Sequence, residues 1–217
     1  MLIRLLKKEF SLALHPTAFI YLLFASFVFI PGYPYEVMFF FSALSVFFIC
    51  MIGRENGDLF FTCILPVNKK EIAFSRILMV VLLQLCMMGI AAILAVLKRF
   101  LLLTIQNTAG LEANFTLFGM GFIMFALFNL VFFPLYFKAP HKVGKPFIIA
   151  AIPMFVIVIL DCVLCAVVPF VSTYLDTIDP AFIGYRLCVF FVGMAIFVGG
   201  TAVACKLSME NFNKVDL

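Results

Sequence analysis

Long apolar runs alternate with short polar breaks along the whole chain. Four runs, at 77–97, 116–137, 147–170 and 183–205, reach the roughly 17–25 residues that a helix needs to cross a bilayer. Two shorter runs, 17–30 and 37–53, precede them and are joined by the turn PGYPYE at 31–36. The pattern predicts an all-α integral membrane protein of about six transmembrane helices in three hairpins. The first pair also fits a re-entrant hairpin that does not fully cross, which leaves the sidedness of everything downstream unchanged. Pro153 and Pro169 are expected to kink the fifth span.

Two segments break the apolar pattern with mixed character. In residues 1–16, Arg4, Lys7, Lys8, Ser11 and His15 fall on one helical face and Ile3, Leu6, Phe10 and Leu14 on another, ahead of Pro16. That spacing predicts a helix lying in the membrane interface with its basic face toward headgroups, the alternative being a solvated tail. Residues 54–76 carry Arg54, Glu55, Asp58, Lys69, Lys70, Glu71 and Arg76 around an apolar middle, LFFTCILPV. A simple loop would not place Leu59, Phe60, Phe61, Ile64, Leu65 and Val67 in water. A short surface helix stopping at Pro66 is expected, then a restart with Asn68 as N-cap and Glu71 at the capping-box position, rigidly continuous with the third span. A partnerless amphipathic loop helix is the plainer alternative.

Composition strengthens the membrane reading. Of 217 residues, 66% are hydrophobic and 12% charged, with 30 Phe and no Trp, and mean hydropathy is +1.23. Soluble domains carry about a quarter charged residues, so lipid must cover most of this surface. The net charge of +4 follows topology and gives no case for a nucleic-acid partner. Twelve of the 15 Lys and Arg fall on one set of connecting segments, and three, Lys98, Arg99 and Arg186, on the other. By the positive-inside bias both termini and residues 54–76 are cytoplasmic. The N-terminus lacks the long apolar run and cleavage site of a signal peptide. The seven Cys sit mostly in apolar runs and are read as packing residues, not a disulfide framework.

ENGDLFFTCILPVNKKEIAFSRIL, residues 55–78, resembles the cytoplasmic segment of ABC-2-type ABC transporter permeases. The likeness is closest to small six-span bacterial subunits that pair with a separate ATPase to export peptides, antibiotics or lipids. That family shows an acidic residue after the second span, then SLP, a basic-Glu-Ile run, and a cation opening the third span. These would be Glu55, ILPVNKKEI at 64–72 and Arg76, with Ile64 standing where Ser is commoner. LLKKEF…LHP at 5–16 is similar to the family's N-terminal interface helix. The likeness covers the architecture of the whole chain and the motifs of about residues 1–80.

The resemblance implies one transmembrane domain over residues 1–217: an interfacial helix at 1–16, spans at 17–53, 77–137 and 147–205, a coupling segment at 54–76, a loop at 138–146 and a tail at 206–217. It implies a multi-pass subunit of the cell membrane, contacting lipid, with a second permease (homodimer or heterodimer) and ABC ATPase subunits as partners. Leu65, Pro66, Val67, Asn68, Lys69, Lys70, Glu71 and Ile72 would make the coupling contact, Glu55 bracing it, and Glu71→Lys is expected to abolish transport without blocking insertion. ATP and magnesium would be bound by the partner, and no cofactor by this chain. No G-x-x-x-x-G-K-[ST] occurs: around Gly144–Lys145, Ala139 stands at the first glycine position and Pro146 follows the lysine. The chain is therefore not read as an enzyme.

Other candidate chemistry is sparse. Asp161, inside the fifth span and nearer its outer end, is costly in hydrocarbon; it is expected to pair with Arg186, which enters the sixth span from that same outer side, or to line a substrate path, the alternative being neither role. Cys162 and Cys165 form a C-x-x-C without a nearby His, read as packing rather than a metal site. His15 and His141 are read as interface residues. Asp58 follows Gly57 but has no membrane-embedded partner Asp, so protease chemistry is unsupported. Ala195 and Gly199, and Gly200 and Ala204, have small-x-x-x-small spacing for close packing within the chain or in a dimer. The Phe-rich fourth span suits an apolar wall for a lipophilic cargo, or plain lipid-facing bulk. A secondary transporter or channel, and a non-transporting membrane scaffold or immunity protein, are the competing functional classes.

Overall fold

The structure, a computed structural model, describes residues 2–14, 16–101 and 107–215. His15, assigned above to the N-terminal basic face, lies outside the described residues. All the described secondary structure is helical. Helix α1 (Leu2–Lys8) runs on as π-helix over Glu9–Ala13, and α2 (Thr17–Leu22) runs on as 3-10 helix over Leu23–Phe29. Then come α3 (Val37–Glu55), α4 (Asp58–Ile64), α5 (Lys69–Leu101), α6 (Phe115–Lys138), α7 (Gly144–Val167) and α8 (Ile183–Asn213).

Five helices, α3 and α5 to α8, are long and apolar enough to cross a membrane. The count reaches six if the pair 3–13 and 17–29, bent by 88°, is taken as one span. Residues 17–29 are few for a crossing, but their 3-10 half rises about 2 Å per residue against 1.5 Å in an α-helix, giving about 23 Å. The turn that follows meets the far-end loops. Gly32 donates its backbone N–H to Asn107 Oδ1 at 3.2 Å, and Lys98 Nζ donates to the Tyr35 hydroxyl at 2.7 Å.

The core sits between α6, α8, α5 and α3, with α7 against α6 and α3. Its closest seam joins α6 to α8. A Cβ built on Gly193 would lie 2.2 Å from the Gly119 carbonyl oxygen, and one on Gly119 would lie 2.7 Å from the Val189 oxygen. Only paired glycines let these backbones meet. The small-residue spacings noted in the sequence divide: Gly200 packs on Ala126 and Ala204 is buried, whereas Ala195 and Gly199 face outward.

Midway along the spans, Gln84 of α5 and Asn129 of α6 exchange two amide hydrogen bonds of 2.8 and 2.9 Å. Asn129 also donates to Thr201 of α8 at 3.1 Å. Three helices are thereby tied in a region without water, where an unpaired amide is costly. Pro153 lies inside α7, but Pro169 does not kink it: α7 ends at Val167, and Val168 is extended, as the residue before a proline prefers.

Candidate functional site

Residues 54–76 fold as the sequence predicts, into a short helix, a break and a restart. Gly57, with φ of 64°, makes the left-handed turn that opens α4, a conformation that costs glycine little. Leu65 is extended before Pro66, and Asn68 takes the cap position of α5, its carbonyl accepting from the Glu71 and Ile72 N–H groups at 2.9 and 3.2 Å. From there α5 runs unbroken into the third span, so a displacement of the break is carried by a rigid rod.

A buried ion cluster holds this knob. Arg76 is fully enclosed, its Nε donating to Glu9 and one terminal nitrogen to Asp58. Lys8 completes the set, 2.5 Å from Asp58 and 3.0 Å from Glu9. Two cations and two carboxylates balance, which is what makes their burial tolerable. Burial works to raise the Asp58 carboxyl, but Arg76 and Lys8 outweigh it and hold it below the usual carboxylate range. The cluster joins α1, α4 and the root of α5. The C-terminal segment joins as well, since Lys69 Nζ donates to the Val215 carbonyl at 2.6 Å. Both ends of the described chain therefore lie at the same end of the bundle.

Several expected roles shift. Glu55 is exposed and, among the described residues, its one ion pair is with the neighbouring Arg54, at 3.6 Å; the carboxylate of this segment that pairs with Arg76 is Asp58. Ile72 is fully buried and belongs to the core. Leu65, Pro66, Asn68 and Lys70 are exposed, while Val67, Lys69 and Glu71 are partly covered. The break continues the apolar outer face of α4, where Phe60, Phe61, Ile64 and Leu65 are 57%, 56%, 68% and 40% exposed. On α1, the face packed against the protein is Leu5, Glu9 and Ala13, while Ile3 and Phe10 point outward. Glu9 was missed as a site residue. Its signal was a carboxylate in an i, i+4, i+8 register between two apolar residues.

At the opposite end the expected Asp161–Arg186 pair is absent. Arg186 donates to the carbonyls of Thr177, at 2.6 Å, and Asp179. Its helix, α8, packs on α6 and α5, whereas α7, carrying Asp161, packs on α6 and α3. The two residues sit on helices separated by α6. Asp161 is buried beside Glu36, whose two carboxyl oxygens have no hydrogen-bond partner among the described residues. Burial first, then the Asp161 and Asp176 charges, push the Glu36 carboxyl up to about 8. Nearby, Glu112 takes Lys98 at 3.4 Å. Cys162 donates to the Ala109 carbonyl at 3.2 Å, and among the described residues no group of His, Cys, Asp and Glu could hold a metal. His141 contributes its carbonyl to Arg54 at 3.4 Å.

No curated protein and no solved structure matches the chain. A family model does: that of ABC-2 family transporter proteins, over residues 4–213. The match runs from within α1, through the residues of the buried cluster, to the end of α8. The chain is a multi-pass membrane protein belonging to the ABC-2 transporter family, the permease of an ABC transporter.

Proposed function

We propose that this permease couples ATP hydrolysis by a separate ATPase subunit to export of a peptide, antibiotic or lipid-like substrate, and that α4 with the break at Leu65–Asn68 is its docking knob. One observation carries the reading. A seven-residue helix presents three large exposed apolar side chains, with Leu65 of the break as a fourth, while its other face is fixed by a buried, charge-balanced cluster to the root of α5. An element that only connected spans would need neither the anchorage nor the apolar outer face. Seated in a groove of the ATPase, the knob would carry that subunit's closure into α5 as a rigid displacement, with Lys70 at the rim of the contact. The basic end then faces the cytoplasm, in accord with the excess of Lys and Arg there. Two such chains, identical or paralogous, would complete the pathway.

The test is ATP-driven export by the permease reconstituted with its ATPase. Phe61→Asp alters an exposed side chain, so insertion and thermal stability should persist while export falls at least tenfold. Undiminished export by that variant would overturn the assignment of α4.

A further inference from the structure

Outward-facing cations are scarce in this chain, yet all three of them, Lys98, Arg99 and Arg186, line one cavity of about 840 Å³ between α5, α6 and α8. The volume lies within the 300–1,000 Å³ typical of ligand sites. Its other walls are apolar: Met88, Ala92, Phe118, Phe122 and Phe190. Along α5 the lining extends from Arg99 to Met88, about 16 Å by helical rise, close to half of a ~30 Å hydrocarbon core. The cavity is thus polar at the end of the bundle and apolar to the depth of one leaflet.

The cations are not equally available. Lys98 is engaged by Glu112 and Tyr35. Glu112, the acidic residue of the lining, is itself taken up by Lys98 and by the backbone N–H groups of Asn107 and Ala113. Arg186 is buried, and after its two bonds to loop carbonyls its Nε has no partner among the described residues. Arg99 is exposed and forms no hydrogen bond or ion pair among the described residues. A buried guanidinium with a free donor, beside a second free guanidinium, calls for an anion with several acceptor oxygens.

We propose that this cavity binds one anionic phospholipid from the leaflet at that end, its phosphate between Arg99 and Arg186 and an acyl chain along Met88, Ala92, Phe118 and Phe122. The proposal concerns binding alone and stands whether or not that lipid is the cargo or the ATPase docks at α4.

The experiment is native mass spectrometry of the delipidated full chain, titrated with phosphatidylglycerol, phosphatidylcholine or inorganic phosphate. One phosphatidylglycerol should bind at least tenfold more tightly than phosphatidylcholine, and inorganic phosphate should not displace it. Arg99→Gln should weaken it about tenfold, the scale of one charge-assisted contact. Arg186 also holds the loop before α8, so the second variant is Gly89→Phe, at a lining position where an added Cβ meets nothing within 4 Å. That variant should fold, with an unchanged unfolding temperature, and lose the lipid. Equal binding of the two lipids, full affinity in both variants, or displacement by phosphate at comparable concentration would each overturn the proposal.

Discussion

Arg76, at the root of the third span, donates through Nε to Glu9 of the N-terminal helix, 67 positions earlier in the chain. With Asp58 accepting from the other side of the guanidinium, one fully buried cation fixes three elements. Removing one partner of such a cluster leaves an uncompensated buried charge and costs about 3–5 kcal/mol. Glu9→Gln and Asp58→Asn should each lower thermal stability in detergent by that order. Glu55→Gln, at an exposed site, should change it by less than about 0.5 kcal/mol. An equal loss from Glu55→Gln would contradict the assignment of Asp58 as the brace.

The outline of the fold was legible because hydrophobic run lengths map directly onto bilayer thickness. The break at Leu65–Asn68 was legible too, because proline and an N-cap residue are local signals. What could not be read was which face of each helix turns inward in a chain apolar on all sides. Periodicity puts Ile3 and Phe10 on the apolar face of the N-terminal helix, and they point outward as a lipid-facing side would, but it does not show that Glu9 turns inward. Glu55 and Asp58 are three positions apart, and only the turn at Gly57 decides which one faces Arg76. Depth in the membrane suggests pairing Asp161 with Arg186, but depth does not tell which helices are neighbours. The Gln84–Asn129 pair likewise needs the packing of α5 on α6, which no local pattern records.

That amide pair gives a second expectation. Gln84→Leu or Asn129→Leu alone should destabilise by about 1 kcal/mol, since the first leaves the Asn129 carbonyl oxygen without its donor and the second leaves the Gln84 amide unpaired in an apolar interior. The double variant should recover most of the loss. Unfolding of all three proteins in the same detergent measures the coupling, and strict additivity would mean that the pair does not act as a unit.

The α6–α8 seam predicts a sharp contrast between glycines on one helix. Gly193→Ala would push a methyl group into the Gly119 backbone and should cost about 1–3 kcal/mol or prevent folding. Gly199→Ala meets nothing within 4 Å and should be neutral for the isolated chain. Expression yield and melting temperature separate the two.

Glu36 sets a pH dependence with a defined sign. Its carboxyl is raised from the ordinary 4.5 to about 8, so the folded state holds a proton that the unfolded chain releases earlier. Stability from this group is fully present below about 4.5 and falls as pH rises through about 8. Asp176, raised to about 6 by burial, acts in the same direction. Melting temperature should therefore fall from about pH 5 to about pH 9, and Glu36→Gln should flatten the decline. A decline of the same steepness in that variant would exclude Glu36 as its source.

Whether α4 and the following break seat an ATPase can be read by co-purification. Tagged chain, drawn from native membranes in mild detergent, is compared with a variant carrying Phe61→Asp and Lys70→Glu, and partners are identified by mass spectrometry. An ATPase containing the G-x-x-x-x-G-K-[ST] motif should come down with the wild-type chain and be lost with the variant, at equal recovery of permease. An ATPase retained by the variant, or none with the wild type where other membrane complexes survive the extraction, would contradict that seating.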